Sequence, residues 1–113
     1  MLIEFTIGNF KSFRDKTTFS MIAANLTSED PALDQNNVIS VAKDLRLLKT
    51  AALYGANASG KSNLGVALRF MRDYVLYSWH AVLPGPAGLE PFLLDRETRE
   101  QPSFFELVFL LDG

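Results

Sequence analysis

Residues 55–62 have the sequence Gly-Ala-Asn-Ala-Ser-Gly-Lys-Ser. They fit the pattern G-x-x-x-x-G-K-[ST], known as Walker A, in which a short loop wraps around a phosphate group. Gly55 and Gly60 let the backbone curl tightly, so that the loop amides point inward at a helix N-terminus. We expect Lys61 to reach the β- and γ-phosphates and the Ser62 hydroxyl to bind Mg²⁺. A glycine turn that merely caps a helix would leave Lys61 unexplained.

The residues expected to bind the nucleotide are the loop itself and the residue that follows it: Gly55, Ala56, Asn57, Ala58, Ser59, Gly60, Lys61, Ser62 and Asn63. Among these, Lys61 is the expected catalytic residue and Ser62 the expected metal ligand. Asn63 is also a candidate for capping the helix.

The segments on either side of the loop agree with this interpretation. Residues 47–54 form an apolar run without clean alternation, which is typical of a strand buried on both faces. From Lys61 to about Trp79, apolar residues recur at steps of three and four, as in an amphipathic helix. The sequence therefore predicts a strand, a phosphate-binding loop and a helix in that order.

The remaining segments predict an antiparallel layer beside this unit. Ile3, Phe5 and Ile7 alternate with polar residues, and a second alternating stretch follows after a short connection. We expect an α/β fold in which this hairpin and the last strand form the layer. The predicted segments are a β-hairpin over 1–22, a polar insert over 23–46, the P-loop strand and helix over 47–80, a loop over 81–102 and a strand over 103–111.

Two smaller predictions concern the insert and the loop. Within the polar insert, Val38–Val41 is a candidate short strand and the remainder is expected to be loop. Within the loop over 81–102, Phe92–Leu94 is another candidate short strand.

Composition excludes several classes of protein. The chain has 113 residues, 48% of them hydrophobic, which suits one small globular domain. It has no cysteine and one histidine, which excludes a disulfide framework and a thiolate or multi-histidine metal site. No apolar run approaches the roughly 20 residues of a membrane span, and no signal peptide is readable. A cytoplasmic protein without a membrane partner is therefore the default expectation.

Charge is unevenly distributed along the chain. The formal net charge of −2 is too small to imply a nucleic-acid partner. Residues 41–72, however, carry six basic residues against the single acidic residue Asp44. This basic block surrounds the glycine-rich loop and would suit an anionic ligand, although ordinary surface lysine and arginine residues would give the same count.

Two stretches resemble one known group of proteins. The loop Asn57-Ala58-Ser59-Gly60-Lys61-Ser62-Asn63 looks like the Walker A loop of the ABC-type ATPase heads in SMC, RecF and OLD-like proteins. The opening stretch Ile3–Phe13, which contains Asn-Phe-Lys-Ser, is similar to the first strand and turn of those heads. The strongest resemblance is to the prokaryotic AAA family ATPases that include OLD-type nucleases and phage-defence ATPases.

The resemblance implies ATP and Mg²⁺ as cofactors and two heads that ATP clamps into a homodimer. It implies a role in DNA repair or phage defence, with DNA contacted only through the full-length protein. It also implies that Lys11, together with Ser12, comes near the phosphates from the first hairpin. Arg14 is a weaker candidate for the same role.

A hydrolysing head also needs a Walker B strand that ends in Asp-Glu, and these residues contain none. Asp95 is a weak candidate for the Walker B aspartate, and Gln101 is a weak candidate for the glutamine that contacts metal and water in ABC ATPases. We therefore expect ATPase activity in a longer protein and negligible turnover by residues 1–113. Asp112-Gly113 favours a hairpin turn, which suggests that a partner strand follows and that the domain is incomplete. A genuinely short protein would end the same way.

Two other functions stay open at this point. One is a partner-binding protein that does not hydrolyse ATP. The other is another P-loop enzyme, a GTPase or a kinase, although the guanine-reading pattern Asn-Lys-x-Asp is missing.

Overall fold

The computed structural model describes residues 1–57, 59–78 and 89–111. The regular elements, in chain order, are β1 (Leu2–Gly8), β2 (Thr17–Ser20), α1 (Pro31–Asn37), β3 (Val38–Ala42), β4 (Leu45–Leu48), α2 (Lys61–Tyr77), a 3₁₀ turn (Thr98–Glu100) and β5 (Phe104–Phe109). Among the helices within these ranges, none is long and apolar enough to cross a membrane.

The main sheet has the strand order β2-β1-β5, and both pairings are antiparallel. The first hairpin and the last strand thus form one layer, as the sequence predicts. Because β1 lies in the middle, it is more buried than its alternating sequence suggests. Phe5 and Ile7 are fully buried, and Thr6 on the opposite face is 9% exposed. The Thr6 hydroxyl is satisfied by a 2.8 Å hydrogen bond to the Thr18 hydroxyl.

Helix α2 packs its first half against the sheet. Ala67 is fully buried, and Phe70 on the same helix contacts an aromatic cluster with Phe10 and Phe105, with ring centroids 5.1–5.7 Å apart. The first turns of the predicted apolar stripe therefore pack against the core through partly buried side chains, whereas Val75 near its end is 63% exposed. The prediction that the helix reaches Trp79 lies outside the described residues.

The predicted strand over 47–54 is wrong. β4 ends at Leu48 and pairs with β3, so that residues 38–48 form a separate two-stranded sheet. Residues 51–55 have no strand assignment, and Tyr54 is 92% exposed. The physical reason is that no described strand lies beside this segment to accept its backbone hydrogen bonds.

The polar insert is more ordered than the sequence analysis predicts. The short strand at 38–41 is present as part of β3, but residues 31–37 form helix α1 and not a loop. Asp30 caps this helix by accepting a hydrogen bond from the amide of Ala32, and Pro31 occupies its first turn. Asp-Pro is a helix-start signal as well as a turn signal, and here the helix forms.

Two further predictions concern the C-terminal end of the chain. The candidate strand Phe92–Leu94 is wrong: this segment is irregular and ends in a turn held by Asp95, whose carboxylate accepts from the amide of Glu97. The hairpin turn at Asp112-Gly113 lies outside the described residues.

Candidate functional site

The glycine-rich loop folds around the side chain of its own lysine. Lys61 Nζ donates to the backbone carbonyls of Gly55 and Ala56, both at 2.6 Å, and reaches the Ser59 hydroxyl at 3.3 Å. The loop also closes on itself through a 3.2 Å hydrogen bond from the Ser59 amide to the Ala56 carbonyl. The ammonium group is therefore held inside the curve of the loop, where the sequence analysis expects phosphate oxygens.

Gly60 joins the loop to α2 and must be glycine for two reasons. Its φ is 88°, a conformation that L-residues with side chains rarely adopt. A Cβ atom at this position would lie 2.5 Å from the hydroxyl of Ser12. The loop thus needs the freedom of glycine at the point where it turns into the helix.

The N-terminus of α2 is arranged to attract an anion. Gly60 provides no side-chain cap, and the first turn of the helix contains no acidic residue. The positive end of the helix dipole is therefore not neutralised by the helix's own first turn. Lys61 adds a full positive charge at the same end, and the next residue, Ser62, is exposed.

Gly55 is also required for a close approach. A Cβ atom there would lie 2.6 Å from the Ser59 hydroxyl and 3.6 Å from Lys61 Cδ. A side chain at residue 55 would push the loop away from Lys61. Glycine is therefore needed at both ends of the loop, at Gly55 and at Gly60.

Two cavities meet at this loop, each of about 380 Å³. The first is polar and is lined by the loop and the first turn of α2: Asn57, Ser59, Gly60, Lys61, Ser62 and Asn63. The second lies between the β1–β2 hairpin and the segment that enters the loop. Its apolar walls include Phe13, Leu53 and Leu64, and Lys61 lines both cavities. A ligand held by the loop would therefore have an apolar groove next to it.

The connection between β1 and β2 carries Lys11 and Ser12 at the tip of a tight turn. Phe10 and Phe13 exchange backbone hydrogen bonds of 2.9 and 2.8 Å across these two residues. Lys11 has a φ of 49°, and its ammonium forms a 2.8 Å ion pair with Glu90. Its backbone amide donates to the Glu90 carbonyl at 2.7 Å. In the described part of the chain, the residues that line the polar cavity do not include Lys11.

Ser12, in contrast, touches the loop directly. Its hydroxyl accepts a 2.9 Å hydrogen bond from the side-chain amide of Asn63. The Asn63 side chain thus donates to the hairpin. It does not cap its own helix, which is one of its two predicted roles; the other is nucleotide binding. Among the other predicted residues, Asn57 is exposed in a turn, and Ala58 lies outside the described residues.

Asn9 is a structural residue that the sequence analysis did not single out. It is 6% exposed, and its Nδ2 donates to the carbonyls of Thr98 and Gln101 at 2.7 and 2.8 Å. Its Oδ1 accepts from the amide of Phe92 at 3.0 Å. The only local indication of this role is the position of Asn9 in the Asn-Phe-Lys-Ser stretch. Its hydrogen-bond partners could not be predicted, because they lie more than 80 residues away in the sequence.

The weaker candidates are engaged away from the polar cavity. Arg14 forms a 2.7 Å ion pair with Asp95, and Asp95 also holds the turn at Glu97. Gln101 is exposed and is tied down through its backbone, which bonds to Asn9 and Thr98. Within the described residues, no group of three or more His, Cys, Asp or Glu side chains could hold a metal ion.

A loop of this sequence and shape, entering a helix beside an antiparallel layer, defines a P-loop nucleotide-binding protein. The comparison with protein families agrees. A family model described as "AAA domain, putative AbiEii toxin, Type IV TA system" matches residues 51–113, more than half of the chain. The chain belongs to this family of AAA-type ATPases, which confirms the resemblance to phage-defence ATPases. The similar opening stretch Ile3–Phe13 lies outside the matched residues. No curated protein and no solved structure matches the chain.

Proposed function

We propose that this chain binds Mg-ATP through residues 55–62, as the first part of an ABC-type ATPase head. The observation that carries the proposal is the loop that coils around the Lys61 ammonium at the N-terminus of α2. Bound phosphates would lie in the polar cavity, between Lys61 and the first amides of the helix.

The polar cavity suits the phosphates and the metal. Because Lys61 keeps its ammonium on loop carbonyls, the same group can contact phosphate oxygens without rebuilding the loop. Charge-assisted hydrogen bonds of this kind are about twice as strong as neutral ones. Ser62 is exposed at the start of α2, where its hydroxyl would hold Mg²⁺ beside the phosphates. The metal would neutralise charge that develops on those phosphates.

The apolar groove supports a nucleotide over free phosphate as the ligand. It adjoins the polar cavity at Lys61 and has apolar walls from both the hairpin and Leu53. A purine base attached to the phosphates would reach this groove, and burying its flat face there would add apolar contact. The base is expected to be adenine, because the family is one of AAA-type ATPases.

Hydrolysis belongs to the longer assembly in this proposal. Asp95 is paired with Arg14 and does not line the polar cavity, so it is not placed to activate water at the phosphates. Two heads clamped by ATP would supply the missing catalytic groups across their interface, and hydrolysis would release them. The family description names a toxin of a toxin–antitoxin system, which favours a defence role over DNA repair. Any contact with DNA would come from the full-length protein.

Calorimetric titration of the chain with Mg-ATP tests the proposal. Lys61→Ala should weaken binding by about 10- to 100-fold, since it removes charge-assisted hydrogen bonds to the phosphates. Lys43→Ala is the matched control, because Lys43 is an exposed lysine between β3 and β4 and should not alter binding. GTP should compete more weakly than ATP. Equal affinity of the wild type and Lys61→Ala would overturn the assignment of the loop.

A further inference from the structure

We infer that Ser12 is a positioning residue for the nucleotide-binding loop, acting through Gly60 and Asn63 and without touching the phosphates itself. The inference rests on the proposed function, because it concerns how the same loop keeps its shape. It assigns to the tip of the β1–β2 connection a specific mechanical task at the start of α2.

Two contacts place Ser12 against the loop. Its hydroxyl accepts from Asn63 Nδ2 at 2.9 Å, and the same oxygen lies 2.5 Å from where a Cβ on Gly60 would be. Ser12 therefore covers the face of Gly60 that a side chain would occupy in any other residue. It also fixes the side chain of Asn63, on the first turn of α2.

Fixing Asn63 matters because of where that residue lies. Its amide donates to the Gly60 carbonyl at 2.9 Å, which forms the tight first turn of the helix. A free asparagine side chain on a first turn can bond to nearby backbone groups and compete with the helical arrangement. With Asn63 held by Ser12, the first turn of α2, where Lys61 and Ser62 line the polar cavity, keeps its helical arrangement.

Ser12 can do this because the turn that presents it is held firmly. Phe10 and Phe13 pair across the turn, and the Phe10 ring is fully buried against Phe70 and Phe105. Asn9, just before the turn, is tied to the 3₁₀ segment by buried hydrogen bonds. The hydroxyl is thus delivered to the loop by a preorganised element and not by a mobile side chain.

A double-mutant cycle measured by Mg-ATP calorimetry tests the inference. Ser12→Ala and Asn63→Ala should each weaken Mg-ATP binding by about 3- to 10-fold, the equivalent of one hydrogen bond. The double variant should bind about as weakly as either single variant, because both changes remove the same contact. The NMR amide signal of Gly60 in the nucleotide-free protein should shift in Ser12→Ala. Ser40→Ala, an exposed serine on β3, is the matched control and should change neither readout.

The outcomes separate the two proposals. Full additivity of the two single losses would overturn the inference, and so would an unchanged affinity in Ser12→Ala alongside lost binding in Lys61→Ala. In both cases the proposed function would stand. A wild-type chain that binds no Mg-ATP would overturn the proposed function and the inference together. Because Ser12 is exposed, its alanine variant should fold normally, which circular dichroism can verify.

Discussion

Replacing Asn9 with alanine should destabilise this chain by about 3–5 kcal/mol, much more than most single substitutions do. Asn9 is 6% exposed and its side chain bonds to four backbone groups of a distant segment: the carbonyls of Thr98, Gln101 and Pro102 at 2.7, 2.8 and 3.4 Å, and the amide of Phe92 at 3.0 Å. These bonds attach residues 92–102 to the end of β1.

The magnitude follows from two separate losses. Alanine removes the three shortest of these hydrogen bonds, at about 1 kcal/mol each, although the Thr98 carbonyl keeps a 3.2 Å hydrogen bond from the Gln101 amide. Asn9 also has a φ of 46°, where alanine costs about 1 kcal/mol that asparagine or glycine largely avoids. A small domain is stable by about 5–15 kcal/mol in total, so the combined loss is a large fraction of the available stability.

Urea unfolding followed by far-ultraviolet circular dichroism measures the loss in the free energy of unfolding. A second variant separates the contribution of the hydrogen bonds from that of the positive φ. Asn9→Gly keeps access to positive φ but loses the hydrogen bonds, so its free energy of unfolding should fall by about 1 kcal/mol less than that of Asn9→Ala. Asn36→Ala, on the exposed helix α1, should stay within about 0.5 kcal/mol of the wild type. A loss below about 1 kcal/mol in Asn9→Ala, at an unchanged denaturant slope, would refute the reasoning from the hydrogen bonds.

Three further outcomes are expected. Gly60→Ala should lower Mg-ATP affinity and should lower the free energy of unfolding by about 1–2 kcal/mol, because a Cβ at this positive φ would meet Ser12. The matched control Gly65→Ala, with nothing within 4 Å of the added Cβ, should raise the melting temperature and leave the affinity unchanged. Equal effects of the two variants would contradict the role assigned to Gly60. Breaking the partly exposed pair Lys11–Glu90 with Glu90→Gln should change the free energy of unfolding by no more than about 1 kcal/mol, and less in 1 M salt than in dilute buffer. Phosphate release from Mg-ATP by these 113 residues should stay well below about 1 s⁻¹, and a rate of that order would mean that the water-activating group lies within them.

The elements that the sequence predicts well are those with strong local patterns. The apolar spacing after Lys61 predicts α2, which begins at Lys61 and continues to Tyr77, and the alternation around Phe5 predicts β1 and its partner. The glycine-rich loop is predictable because its chemistry requires particular residues at fixed positions. Each of these signals lies within a short stretch of chain.

The elements that the sequence analysis misses depend on partners far away in the chain. The apolar run before Gly55 has the composition of a buried strand, but a strand forms only beside another strand, and none is described there. The polar residues around Pro31 predict a loop, although the capping carboxylate of Asp30 makes this a helix start. The choice between the two depends on whether the following residues find a helical partner, which a dipeptide does not encode.

The residues of the candidate site fall into the same two groups: those whose roles follow from local sequence and those that depend on distant partners. Lys61 and the two glycines act within eight residues of sequence, and their roles are readable from the motif. The contact between Ser12 and Asn63 joins positions 51 residues apart and depends on the packing of the hairpin against α2. A turn tip rich in polar residues looks like a solvated loop until its neighbour in space is known.

The hydrogen bonds of Asn9 and Ser12 act on the same turn from opposite sides, and this links stability to binding. Asn9 anchors the start of the turn to residues 98–101, while Ser12 at its tip contacts the loop through Asn63. If the anchor is removed, the tip gains freedom, and Ser12 should hold Asn63 for a smaller fraction of the time. Asn9→Gly should therefore weaken Mg-ATP binding even though Asn9 does not line the polar cavity. An Asn9→Gly variant that loses stability but binds Mg-ATP like the wild type would show that the turn tip keeps its position without the anchor.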